Sequence, residues 1–155
     1  MTVDELLAHM GPELFVSELK SKNKSDLLEE LTDRAVAGSG IRDREIVLEM
    51  LRNREQLGST ALERGVAFPH GRSLAVPRLT IVAGRSSGGV DFEGEDGKLT
   101  HLFFLILAPP QDPGNNYLQA LGKIAGLLRD EAVKDRLMAA ADFDGFAQIL
   151  RECKP

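Results

Sequence analysis

The chain has no tryptophan and a single tyrosine, Tyr117, so flat aromatic platforms for stacking sugars or bases are not expected. It has one cysteine, Cys153. One thiol cannot close an internal disulfide, which fits a reducing compartment and an expected cytoplasmic location. Long apolar segments are missing. The longest run, residues 102–108, is far too short to span a bilayer. Residues 1–10 carry Asp4 and Glu5 and lack the basic start of a signal peptide. No direct membrane insertion is expected. Net charge is −5 with the signs well mixed. No Lys/Arg run could follow a phosphate backbone, so nucleic acid is not an expected partner.

Several reaction motifs are absent as well. His9, His70, His101 and Cys153 show no His-x-x-x-His or Cys-x-x-Cys spacing, so no metal site is expected. Gly84 and Gly89 have the glycine spacing of a phosphate-binding loop, but Val90 stands where the lysine is required. No Gly-x-Ser-x-Gly elbow occurs, and nothing near Ser59 marks it as a nucleophile. No cofactor is expected.

What remains is a chain of 155 residues, 43% apolar and 28% charged, the size and composition of one globular domain over residues 1–155. Residues 3–10 suit a short helix with Thr2 as N-cap, and residues 14–16 a strand. Ser25 opens an amphipathic helix with Leu27, Leu28, Leu31, Ala35 and Val36 at helical spacing, ended by Gly38 and Gly40. Asp43 caps the next helix, whose apolar face is Ile46, Val47, Met50 and Leu51. Arg54 lies in its last turn, and Gly58 stops it. Three strands follow, at 65–68, 79–83 and 102–107. The third is apolar on successive residues, as in a strand buried on both faces. A Gly- and acid-rich loop is expected at 85–98. Pro109, Pro110, Pro113 and Gly114 break the chain, and Asn115 or Asn116 caps a helix presenting Leu118, Leu121, Ala125 and Leu128. Helices at 131–140 and from Asp142 to about Glu152 complete the chain. Interleaved helices and strands give an α/β fold, a small mixed sheet of about five strands with helices on both faces.

The stretch at 54–72 carries the chemistry. Val66-Ala67-Phe68 runs into Pro69, His70, Gly71 and Arg72. Pro69 has no N–H to donate, so a strand is expected to stop there. Gly71 lets backbone amides come close to a ligand. His70 is then held at a strand end, a good place for a reactive imidazole and equally for an ordinary turn histidine. A neutral imidazole is a good nucleophile. Were it phosphorylated, the product would carry close to two negative charges. Arg54 could neutralise part of that with its fork of donors, though a cation at a helix C-terminus also complements the macrodipole. Amides around Gly71 and at the helix after Asn116 are further possible donors, and Arg72 is a second candidate cation. His101 reads as structural and His9 as exposed. Tyr117 reads as packed against its loop with a hydrogen-bonded hydroxyl.

The segment Arg54-Glu55-x-x-Gly58-Ser59-Thr60, followed by Gly65-Val66-Ala67-Phe68-Pro69-His70-Gly71, resembles the signature of enzyme IIA domains of the fructose/mannitol type, components of the phosphoenolpyruvate-dependent phosphotransferase system. The likeness extends over nearly the whole chain and is nearest to the stand-alone nitrogen-regulatory IIA proteins. It implies that His70 is phosphorylated by a histidine phosphocarrier protein, that Arg54 stabilises the phosphate, and that the fold is a mixed five-stranded sheet flanked by helices. Many members carry a second active-site histidine early in the helix after the Pro-rich loop, and here Tyr117 takes that position. Two uses follow from the resemblance. The chain passes phosphate to a IIB domain for sugar uptake, or it is a regulatory module whose target binding depends on the phosphorylation state of His70.

Overall fold

A computed structural model describes residues 1–153; residues 154 and 155 of the expected domain lie outside the described residues. Strand β6, Thr100–Ala108, lies inside the sheet. Its side chains alternate between two cores. Leu102, Phe104, Ile106 and Ala108 join one, and Phe103, Leu105 and Leu107 join the other. Six residues from Leu102 to Leu107 are fully buried, as the unbroken apolar run requires. On one side β6 pairs antiparallel with β5, Thr80–Val90. On the other it pairs in parallel with β3, Val66–Ala67, and with β4, His70–Arg72. β1, Phe15–Val16, adds to β5 in parallel, and β2, Ala61–Leu62, adds to β3 antiparallel. The sheet is mixed, as expected. It has the expected five strands when β3 and β4 are taken as one interrupted strand along β6.

Among the described residues six α-helices cover the sheet. α2, Lys24–Ser39, and α3, Arg44–Gln56, pack on one face. α1, Val3–Leu7, α4, Asn116–Leu127, α5, Glu131–Ala139, and α6, Phe143–Glu152, pack on the other. None of these helices is long and apolar enough to cross a membrane. The caps follow elementary chemistry. Thr2 closes a capping box with Glu5, Asp43 accepts the Ile46 N–H, and Asp142 accepts the Gly145 N–H. α2 starts one residue earlier than expected because Asn23, not Ser25, supplies the capping oxygen, to the Asp26 N–H.

Four expectations change. Pro69 interrupts the strand but does not end it. Its carbonyl accepts the Ile106 N–H at 3.0 Å, so the ladder with β6 continues and His70 opens β4. The expected loop at 85–98 is strand as far as Val90. The ladder slips between Arg85 and Val90, which absorbs the glycines as a bulge. Arg85 is buried there because its guanidinium donates to the carbonyls of Leu137, Met138 and Ala140 at the C-terminal end of α5, and to Ser17. α4 buries Tyr117, Ala120, Ile124 and Leu127, while Leu118 is 54% exposed. On α3, Ile46 is half-exposed, and Leu48 takes the core position instead.

The Arg85 clamp joins β5 to the C-terminal end of α5 through carbonyls of its last turn and cap. Arg85→Met keeps the stem and removes the donors. It is expected to lower unfolding free energy by about 3 kcal/mol, read from urea denaturation with an unchanged slope.

Candidate functional site

His70 is half-buried at the start of β4. Its Nδ1 lies 2.6 Å from the carbonyl oxygen of Phe68. A carbonyl only accepts, so Nδ1 is the donor here, and in the neutral tautomer with that donor Nε2 is the nitrogen with the lone pair. The turn that brings a side chain back to the carbonyl two residues earlier passes through Pro69, whose φ is fixed by its ring. One nitrogen is thus held as a donor into the backbone, and the other is left for chemistry.

β4 alternates like any strand. His70 and Arg72 share one face, and Gly71 faces the other, where α3 packs. A Cβ on Gly71 would stand 1.9 Å from Sδ of Met50. Gly71 therefore serves close packing of α3 on β4. On the His70 face lies Tyr117, in the first turn of α4. Its ring centroid is 6.1 Å from that of His70, and the Arg72 guanidinium carbon sits 4.7 Å from the Tyr117 ring centre.

Arg54 comes from the last turn of α3, and its Nη1 donates to the Gly58 carbonyl at 3.0 Å. This holds the side chain over the turn that leads into β2. The adjacent Glu55 points the other way and is 7% exposed. Its carboxylate accepts the N–H of Thr60 at 3.1 Å and the Thr60 hydroxyl, and pairs with Lys24 Nζ at 2.9 Å. Lys24 also lies over the Phe92 ring. Glu55, Thr60 and Lys24 had no place in the sequence reasoning. The only signal for them is that Glu55 and Thr60 belong to the same short motif as Arg54. Ser59 ties the turn down further, donating to the Phe92 carbonyl and accepting the Ala61 N–H.

The electrostatics of the site are positive. Among the described residues neither Arg54 nor Arg72 has a carboxylate within 4.0 Å. Burial pushes the Tyr117 hydroxyl above its ordinary value of 10.0, while the charges of Arg72 and Arg54 pull it back. Both guanidiniums therefore lie within Coulombic reach of the ring that faces His70. The hydroxyl makes no hydrogen bond among the described residues. Tyr117 is tied to the loop by its backbone N–H, which donates to Asp112 Oδ2 at 2.8 Å. That contact also means the α4 N-terminus is already occupied by a carboxylate, so the amide expected there for a ligand is not free. Asn115 holds the N-cap position in a left-handed conformation without a capping side-chain bond. His101 is structural as expected, with Nδ1 2.9 Å from the Ser86 carbonyl. His9 is half-buried rather than exposed, its carbonyl accepting the Ile81 N–H. Among the described residues no three His, Cys, Asp or Glu side chains gather as metal ligands would.

Residues 9–153 match the family model for the phosphoenolpyruvate-dependent sugar phosphotransferase system, EIIA 2. The chain belongs to that family. It is a phosphoryl carrier or regulator of the phosphotransferase type. It is 37% identical over 150 residues to a nitrogen regulatory protein of Bradyrhizobium diazoefficiens, covering 97% of this chain and 95% of that one. The fold superposes on the crystal structure of the nitrogen regulatory protein IIA-Ntr from Neisseria meningitidis with a TM-score of 0.83, 30% identity, and coverage of 92% and 97%. It also matches the mannitol IIA of Escherichia coli solved in complex with phosphorylated mannitol IIB, with a TM-score of 0.76, 25% identity, and coverage of 91% and 96%.

Asp112 organises the N-terminus of α4 and hence Tyr117. The Tyr117 N–H, then the Asn116 amide and the Arg72 charge, hold its carboxyl below the ordinary value of 3.8. A depressed folded-state pKa stabilises above the unfolded value and is lost as pH falls through the folded one. Asp112→Asn keeps an acceptor but removes the charge at the α4 N-terminus, and is therefore expected to cost about 0.5 kcal/mol at neutral pH. The difference from the parent protein is expected to shrink as unfolding is followed below about pH 4, as the parent's carboxylate is protonated.

Proposed function

We propose that the chain takes a phosphoryl group onto Nε2 of His70 from the phosphohistidine of a histidine phosphocarrier protein, and that Arg54 shares the incoming charge. The observation that carries this reading is the Nδ1–Phe68 carbonyl contact, which leaves Nε2 as the lone-pair nitrogen on a ring that solvent reaches. The Nε2 lone pair forms the new N–P bond. The electron pair of the breaking P–N bond stays with the donor ring. The proton on Nδ1 remains against the Phe68 carbonyl, which shares the positive charge the ring acquires. Arg54, with no carboxylate within 4.0 Å among the described residues, offers charge-assisted donors to the phosphoryl oxygens.

From His70 the group passes to a IIB domain, or it stays as a signal. End-to-end similarity to a nitrogen regulatory protein supports the second use. Two added negative charges near the Arg54 and Arg72 guanidiniums would change what the surface attracts, and a target protein can read that change. The same reading places the protein in the cytoplasm, acting as one unit over residues 1–155.

The test is uptake of acid-labile phosphate when the protein is mixed with phosphoenolpyruvate, enzyme I and a phosphocarrier. His70→Ala is expected to take up none, and labelling of that variant would remove His70 from the reaction. Arg54→Ala is expected to slow uptake on the order of tenfold or more, the cost of one charged donor; an unchanged rate would remove Arg54. Tyr117→His restores the group common in the family and is expected to speed transfer to a IIB domain.

A further inference from the structure

We propose that Arg72, laid across the face of Tyr117, is the second cation that binds the phosphoryl group, and that Tyr117 serves as its aromatic platform rather than as a hydroxyl donor. This rests on His70 being the phosphorylated residue. The strand geometry comes first. His70 and Arg72 are two residues apart on β4 and so project to the same side, while Gly71 between them is filled by Met50 on the other. One ring then faces both side chains, with the Tyr117 centroid 6.1 Å from the His70 ring and 4.7 Å from the Arg72 guanidinium carbon.

Stacking uses the π face of the guanidinium. The donors lie in its plane, so an arginine on an aromatic ring still offers a fork to a phosphoryl group. Among the described residues those donors have no carboxylate partner within 4.0 Å, and Arg72 is exposed, so they face solvent. The ring confines a side chain that would otherwise sample many rotamers, and it does so beside His70. Asp112 is the acid closest in influence, and its carboxylate is already engaged by the Tyr117 N–H. The Tyr117 hydroxyl, its pKa raised above the ordinary value, carries no positive charge to offer the phosphoryl group. Arg72 supplies it here. Arg72 is thus a phosphoryl-binding residue and Tyr117 a positioning residue.

The experiment measures the rate of phosphoryl uptake from phosphoenolpyruvate through enzyme I and a phosphocarrier, in full-length variants checked for native melting. Arg72→Gln is expected to slow uptake about tenfold, the loss of one charge-assisted contact. Tyr117→Leu is expected to slow it similarly, and Tyr117→Phe, which returns the ring without the hydroxyl, to restore the rate. The double variant Arg72→Gln/Tyr117→Leu is expected to be no slower than Arg72→Gln alone, because both changes remove the same contact. An unchanged rate in Arg72→Gln overturns the proposal, and that variant alters an exposed side chain, so folding does not confuse it. Tyr117→Phe falling as far as Tyr117→Leu also overturns it, by making the hydroxyl the working group. Absence of label in the parent protein fails the His70 reading itself, and this proposal with it.

Discussion

The site depends on the parallel ladder between β6 and the interrupted strand β3–β4. β6 is sealed between two cores and cannot shift without moving both. Anything hydrogen-bonded along it inherits that rigidity. β3 holds Val66 and Ala67 opposite Leu102 and Phe103, and β4 holds His70 opposite Ile106. Between them Phe68 and Pro69 leave the regular pattern without leaving β6, since the Pro69 carbonyl still accepts from Ile106. The interruption frees the Phe68 carbonyl to turn toward the imidazole. A regular strand would have spent that carbonyl on a neighbour. A full loop would have let the ring wander.

Around that fixed imidazole the charges are arranged by elements from different parts of the chain. α3 delivers Arg54 at its last turn, and the buried Glu55–Thr60–Lys24 group anchors the turn behind it. β4 delivers Arg72 and α4 delivers Tyr117. A positive rim around an imidazole that solvent reaches suits a group that arrives with negative charge and must leave again. Deeper burial would bind phosphate more tightly and release it less readily.

Much of the architecture was legible in the sequence because the strongest signals are local. The run at 102–107 reads as a strand buried on both faces, and it is one. Thr2, Asp43 and Asp142 are good caps where they stand. Other features depended on contacts far away in sequence. Arg85 looked like the start of a polar loop because nothing nearby announces the three carbonyls it meets at the end of α5. α4 carries two adjacent apolar stripes, and only docking on the sheet decides that Tyr117, Ala120, Ile124 and Leu127 face inward. Pro69 was read as a terminator because its missing N–H is visible in sequence, whereas its carbonyl bond to Ile106 is not. At the site, His70 and Arg54 came from a motif. The stacking of Arg72 on Tyr117 joins residues 45 positions apart (117 − 72) and needed the fold to appear.

The central claim is that the fold assigns the two nitrogens of one imidazole to two different jobs. Side-chain nitrogen NMR of His70, before and after phosphorylation, tests it most directly. The account predicts a proton on Nδ1 in the unmodified protein and through-bond coupling of phosphorus to Nε2 in the modified one. Coupling to Nδ1, or phosphorus bound to any other residue, would contradict it.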